Sequence, residues 1–194
     1  MPEDLAPSRP ANMSEDFDSY FRDDVSLLTA FLIKLGADPQ EAADAVQETG
    51  LKMFSIWGKI DHPRAYARRT AERVYLRSKA RRADEDTRLM QGGWAVQGLS
   101  DQPSEVLIFN EEASELINMI RMLPPKQRRV FAWRLDGFTP AEVATELKEP
   151  VGRVYSALRD ANQSMREMWD RLKLEREQRV EAAGRGKTDE RPGF

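Results

Sequence analysis

Three groups of side chains in this sequence have the types and spacing to do molecular work. The first is Arg153, Tyr155, Ser156, Arg159 and Asn162, within "GRVYSALRDAN". On a helix buried through Val154 and Leu158 these are the exposed positions. Arginine can fork to guanine, serine can contact either class of base, and asparagine can pair with adenine, so the set suits the reading of DNA base edges. The second group is Arg64, Arg68, Arg69, Arg73, Arg77 and Arg81, interleaved with Tyr66 and Tyr75. Cations that track a phosphate backbone, with rings on which a base can stack, suit single-stranded or opening nucleic acid. For Tyr66 the favoured reading is inward packing. The third group is Asp44, Gln47 and Glu48, one turn after Glu41. With no histidine partner and no glycine-turned loop, these acids read as a solvated face or a dock for a basic protein surface rather than an acid–base or metal site.

The missing residue types exclude whole classes of chemistry. There is no cysteine, hence no disulfide framework and no thiolate nucleophile or metal site. The single histidine, His62, lies between a capping aspartate and a proline and reads as structural; it leaves no His cluster for a metal and makes Ser-His-Asp catalysis improbable. "QGGW" and "GRGK" match no phosphate-binding loop. No apolar run approaches the roughly 20 residues of a membrane helix, and the acidic, Pro-rich start "MPEDLAPSRPANMSEDF" lacks the apolar core of a secretory signal. Met13 offers a second candidate start. The expectation is a cytoplasmic, non-enzymatic protein with no catalytic residue, metal or cofactor and no membrane insertion.

The net charge of −3 conceals segregation. Residues 64–82 hold eight Lys/Arg against one acid, and residues 83–116 hold eight acids against one base. Residues 15–51 carry nine acids and two bases, whereas 121–173 carry eleven bases and seven acids. Such a chain can face a polyanion with some surfaces and a basic protein with another.

Apolar spacing and punctuation place these groups on helices. Phe17, Phe21, Val25, Leu28, Leu32 and Leu35 predict a first helix, stopped by Gly36. Asp38 as cap and Pro39 open a second helix that buries Ala43, Val46, Met53, Phe54 and Trp57, with Gly58 as its stop. Asp61 and Pro63 open a basic third helix to about Arg82. A helix through Leu116, Ile117, Ile120 and Leu123 ends at Pro124-Pro125, and another spans Lys126 to Leu135. Thr139 and Glu142 form a capping-box pair with Pro140 at the first helical position. The helix they open buries Ala141, Val143, Ala144 and Leu147, "KEP" turns, and a last helix from Val151 to about Leu172 buries Val154, Leu158, Met165 and Trp169. No strand signal is present. The predicted fold is all-α, two small helical domains joined by an acidic flexible linker: a disordered 1–14, a first domain over 15–82, a linker over 83–104 in which Trp94 anchors on a neighbouring helix, a helix-turn-helix domain over 105–173, and a polar tail over 174–194.

Both halves resemble one family. "DPQEAADAVQETGLKMFSIW", "DHPRAYARRTAERVYLRSKARR" and "LPPKQRRVFAWRLDGFTPAEVATELKEPVGRVYSALRDA" closely resemble the extracytoplasmic-function (ECF) sigma factors of bacterial RNA polymerase, over roughly 17–82 and 105–172. The resemblance implies a sigma domain 2 that docks on core polymerase and opens and reads the −10 element, and a sigma domain 4 that reads the −35 element. It assigns Asp44, Gln47 and Glu48 to polymerase docking, the basic-helix arginines to the −10 element, and the recognition-helix set to the −35 element. Core RNA polymerase, promoter DNA and an anti-sigma factor are the partners it implies. The sequence departs from the family pattern at Arg73 and Arg77, where Asn and Asp are usual, and at Ala157 and Asp160, where arginines are usual. These departures keep a second reading open: a sigma-like interaction protein that binds core polymerase or an anti-sigma factor with weak or altered promoter reading. A stand-alone repressor is disfavoured, since it leaves the N-terminal half without a task.

Overall fold

A computed structural model describes residues 11–91 and 111–186, and these are helical throughout apart from short turns. The order is α1 (Ala11–Leu35), α2 (Pro39–Ile56), a single 3-10 turn (Trp57–Lys59), α3 (Pro63–Gln91), α4 (Glu111–Met122), α5 (Pro125–Leu135), α6 (Pro140–Leu147) and α7 (Val151–Gly186). No strand occurs among the described residues.

Local chemistry sets the helix ends. Asp38 closes a capping box with Glu41 ahead of Pro39, and Thr139 closes one with Glu142 ahead of Pro140. Three helices finish in a Schellman turn. In α1 the Ala37 amide donates to the Leu32 carbonyl and the Gly36 amide to Ile33, and α5 repeats the pattern with Phe138 to Trp133 and Gly137 to Arg134. Gly36 and Gly137 take φ of 104° and 95°, a region in which side chains are disfavoured. At the end of α6 Lys148 holds the left-handed position at φ 56°, with the Glu149 amide donating to Ala144. That turn is the "KEP" of the helix-turn-helix.

Several expectations need correction. α1 begins at Ala11, so residues 11–14 are helical rather than disordered. His62, not Asp61, immediately precedes α3, and its carbonyl accepts from the Tyr66 amide. α3 runs on to Gln91 and α7 to Gly186, into stretches assigned to the linker and to the tail. The α7 extension is rich in Glu, Arg and Ala, and the α3 extension contains Ala, Glu, Arg, Leu, Met and Gln, all good helix formers whose charge does not oppose helix formation. Arg81 approaches Glu85, one turn into the α3 extension, at 3.9 Å, and Arg176 of the α7 extension pairs with Glu115 on α4 at 2.5 Å. The buried stripe of α2 is Ala42, Ala45, Val46, Thr49, Gly50 and Met53. Ala43 faces solvent, and Phe54 and Trp169 are more than a third exposed. The anchoring role expected of Trp94 lies outside the described residues.

Gly50 explains how α1 seats on α2. A Cβ there would sit 2.6 Å from the Phe21 ring, so the missing side chain lets that ring lie on the helix backbone. A glycine within a helix costs about 1 kcal/mol relative to alanine; here it admits an aromatic cluster of Phe17, Phe21, Phe54, Tyr20 and Trp57 with ring centroids 5.1–5.3 Å apart. The second half has its own core of Val130, Val143, Val154, Leu158 and Met165. The two cores are continuous. Trp133 of α5 is fully buried, edge-on to Phe31 of α1 at 5.5 Å and to Phe138 at 4.9 Å.

Candidate nucleic-acid and protein interfaces

The recognition helix begins at a well-made turn. Glu142 accepts from the Thr139 amide at 2.7 Å and from its hydroxyl at 2.8 Å, and the first of these bonds is the main reason its carboxyl titrates below the usual range. Beyond Lys148 the Pro150 carbonyl accepts from the Arg153 and Val154 amides at 2.9 and 3.3 Å, which starts α7 without a side-chain cap. Val154, Leu158, Ala161 and Met165 then face inward at spacings of three and four. The opposite face presents Arg153, Tyr155, Ser156, Arg159 and Asn162, all exposed, as expected from the sequence. No atom lies within 4 Å of the space beside Gly152, so the start of the helix is open. The two arginines hold only light local partners. Arg153 lies 3.6 Å from Glu149, and Arg159 donates through Nε and Nη2 to one oxygen of Asp160 at 3.1 and 3.0 Å. Asn162 donates to the Leu158 carbonyl at 2.9 Å.

The arginines of α3 are distributed differently. Arg68 is fully buried: its guanidinium pairs with Asp24 of α1 and with Asp136 at the end of α5, the latter at 2.8 Å. Burial alone would lower its pKa, but the Asp24 hydrogen bond and the Asp136 charge raise it, so it stays charged. Its place in the DNA-facing set is therefore corrected: Arg68 is a structural cation. Arg64 donates to the Asp136 carbonyl and lies 5.3 Å from the centre of the Phe138 ring. Arg69 approaches Glu146 of α6 to 2.9 Å without hydrogen-bond alignment. Arg77 pairs with Glu48 at 2.9 Å, and Arg81 reaches toward Glu85. Arg73 alone of the six has no ion pair among the described residues. Tyr75 is buried and Tyr66 half-buried, so neither ring is a free stacking platform in this arrangement.

The acidic face of α2 is present as expected. Asp44 and Gln47 are exposed, Asp44 accepting from Gln40 at 3.1 Å. Glu48 accepts from Lys52 at 2.5 Å, which is the leading reason its carboxyl is held low. One further residue belongs to this face. Leu51 is 73% exposed, one turn beyond Gln47 and two beyond Asp44, and makes an apolar knob beside the acids. Its signal in the sequence was a leucine at helical spacing on the polar side of α2.

No group of three or more His, Cys, Asp or Glu among the described residues could hold a metal, and no described helix is long and apolar enough to cross a membrane.

Comparison with known proteins agrees with this geometry. Residues 113–165, from α4 into α7, match the family model of sigma-70, region 4. The helix-turn-helix of α6 and α7 lies within the matched residues. The whole described fold is similar to that of the sigma factor RpoE from Bartonella quintana, solved in complex with the anti-sigma factor NepR: TM-score 0.64, 18% identity, covering 80% of this chain and 98% of that one. The chain thus has the all-helical, two-part fold of a sigma factor, as its sequence suggested. No curated protein matches it by sequence.

Proposed function

We propose that this chain is an ECF-type sigma factor that acts in the cytoplasm, binds core RNA polymerase and directs initiation at a specific set of promoters. One observation carries the reading: a region 4 helix-turn-helix with an unobstructed recognition face is joined to a second helical unit with an acidic docking face and a basic helix. In this reading α7 enters the major groove of the −35 element, with Arg153 and Arg159 as guanine readers and Tyr155, Ser156 and Asn162 on flanking bases or phosphates. Arg69, Arg73, Arg77 and Arg81 attract the −10 region, with Arg64 at the helix start. Asp44, Gln47, Glu48 and Leu51 dock on the polymerase, the acids steering the encounter and Leu51 filling an apolar pocket. The chain contributes binding and strand opening, with no covalent chemistry of its own. An anti-sigma factor is a further proposed partner, supported by the complex in which RpoE was solved.

A second reading, a sigma-like chain that binds polymerase or an anti-sigma factor but reads DNA weakly, is favoured by Asp160 on the recognition helix and by the internal pairing of the α3 arginines. Co-purification with core polymerase together with run-off transcription separates the two. The first reading requires both binding and new transcripts; binding with no transcripts on any promoter library selects the second.

A further inference from the structure

Between α3 and the turn that joins α6 to α7 lies an open cleft of about 720 Å³, within the range of small-molecule sites. Its charge is lopsided. Arg69, Arg73 and Arg77 of α3 line it at spacings of four, so they share one helix face, and Arg129 and Lys148 join them from the second half. Two carboxylates answer these five cations, and both are already engaged. Glu72, 4% exposed, accepts from Arg129, and Glu146 faces Arg69 at 2.9 Å. Arg73 and Lys148 have no ion pair among the described residues. Arg77 meets Glu48 at 2.9 Å, but the two side chains are 73% and 40% exposed, an arrangement worth little in water.

Two leucines complete the cleft. Leu76 follows Arg73 by three residues and is 50% exposed although it stands among arginines, and Leu147 is the last residue of α6. Apolar side chains open to a cleft beside free cations suit a ligand with an apolar body and an anionic end. Lys148 is offered from a fixed turn, at φ 56° with its amide donating to the Thr145 carbonyl at 3.3 Å. Arg73 and Arg77 are also the two α3 positions at which the sequence departs from the ECF pattern, so this wall is particular to the chain.

We propose that this cleft is a binding site for a nucleoside polyphosphate. Arginine forks onto phosphate oxygens and lysine adds a compact point charge. Arg73, Arg77 and Lys148 grip the phosphates, while Leu76 and Leu147 cover a face of the base. Arg69 and Arg129 stay with their own carboxylates. Binding requires only the free chain, whereas its consequence rests on the function proposed above: an occupied cleft withdraws Arg73 and Arg77 from the −10 region and weakens the attraction of the chain for that DNA.

Calorimetric titration of the full chain at low ionic strength, with adenosine triphosphate and separately with inorganic tripolyphosphate, tests the site without polymerase or promoter. The expected result is one saturable site for each, tighter for the nucleotide. Arg73→Ala should weaken both ligands by about 10-fold or more, and so should Lys148→Asn, in which asparagine tolerates the left-handed backbone. Leu76→Ser should weaken the nucleotide by about fivefold and leave tripolyphosphate unchanged. Arg166→Ala, which removes an exposed cation of α7 that does not line the cleft, should change neither. Heat without saturation, or equal losses in Arg166→Ala and Arg73→Ala, would reduce the binding to diffuse attraction between charges and overturn the site. Tripolyphosphate bound as tightly as the nucleotide, with Leu76→Ser silent, overturns the nucleoside assignment. A chain that binds the nucleotide with these losses yet directs no initiation keeps the site and loses the sigma reading.

Discussion

The two basic helices of this molecule use their arginines in opposite ways. On α7, Arg153 and Arg159 stand in solvent beside exposed local carboxylates. On α3, Arg68 has no contact with solvent and Arg64 and Arg69 reach across to the second half. A count of cations along a helix therefore does not give the charge the helix presents. What decides is whether acids elsewhere in the chain return to meet it. Asp24 and Asp136 lie 44 and 68 residues from Arg68 in sequence and still become its partners.

The contrast predicts effects of different size and kind. The largest should follow Arg68→Ala, which leaves two buried carboxylates without their shared cation. Breaking a buried pair in this way costs about 3–5 kcal/mol, so chemical denaturation should show a marginal or unfolded protein. The exposed counterpart, Arg153→Ala, should leave stability within about 0.5 kcal/mol yet weaken binding to the cognate −35 duplex by about 1–3 kcal/mol. Equal stability losses in the two variants would dissolve the comparison.

A smaller effect is expected at Tyr20, whose hydroxyl donates to Asp24 at 2.8 Å beside the Arg68 network. Burial, and then this bond, raises its pKa well above that of a free tyrosine. The raised value means that its contribution is complete below the ordinary tyrosine pKa of about 10 and is lost as pH climbs from there toward the folded value. Tyr20→Phe should cost about 1 kcal/mol at neutral pH and abolish that alkaline dependence in denaturation curves.

The smallest concerns the recognition turn. Glu142 has its pKa lowered by the cap bonds of Thr139, so its contribution is present above the ordinary glutamate value and fades as pH falls through the folded one. A nuclear magnetic resonance titration should place its midpoint below that of free glutamate, and Thr139→Ala should return it toward the ordinary range.

Much of this was legible in the residues. The capping pairs Asp38–Glu41 and Thr139–Glu142, the glycines that close α1 and α5, and the inward Val154 and Leu158 are local signals set by neighbours within a turn or two. The recognition face followed from the same periodicity. Features that depend on distant segments were less legible. Nothing near Arg68 or Tyr75 in sequence marks them as interior, because a charged or hydroxylated side chain is buried only where another helix supplies its partner. Leu51 was legible only as a leucine on a polar face; that it stays uncovered is decided by which helices pack around α2.

Start-site mapping decides whether this chain directs initiation: RNA 5′ ends are mapped after core polymerase transcribes fragmented genomic DNA with and without the purified chain. The sigma reading requires new start sites that share two upstream sequence elements at a fixed spacing and disappear with Arg153→Ala. A chain that binds neither core polymerase nor DNA and leaves the pattern of starts unchanged would contradict it.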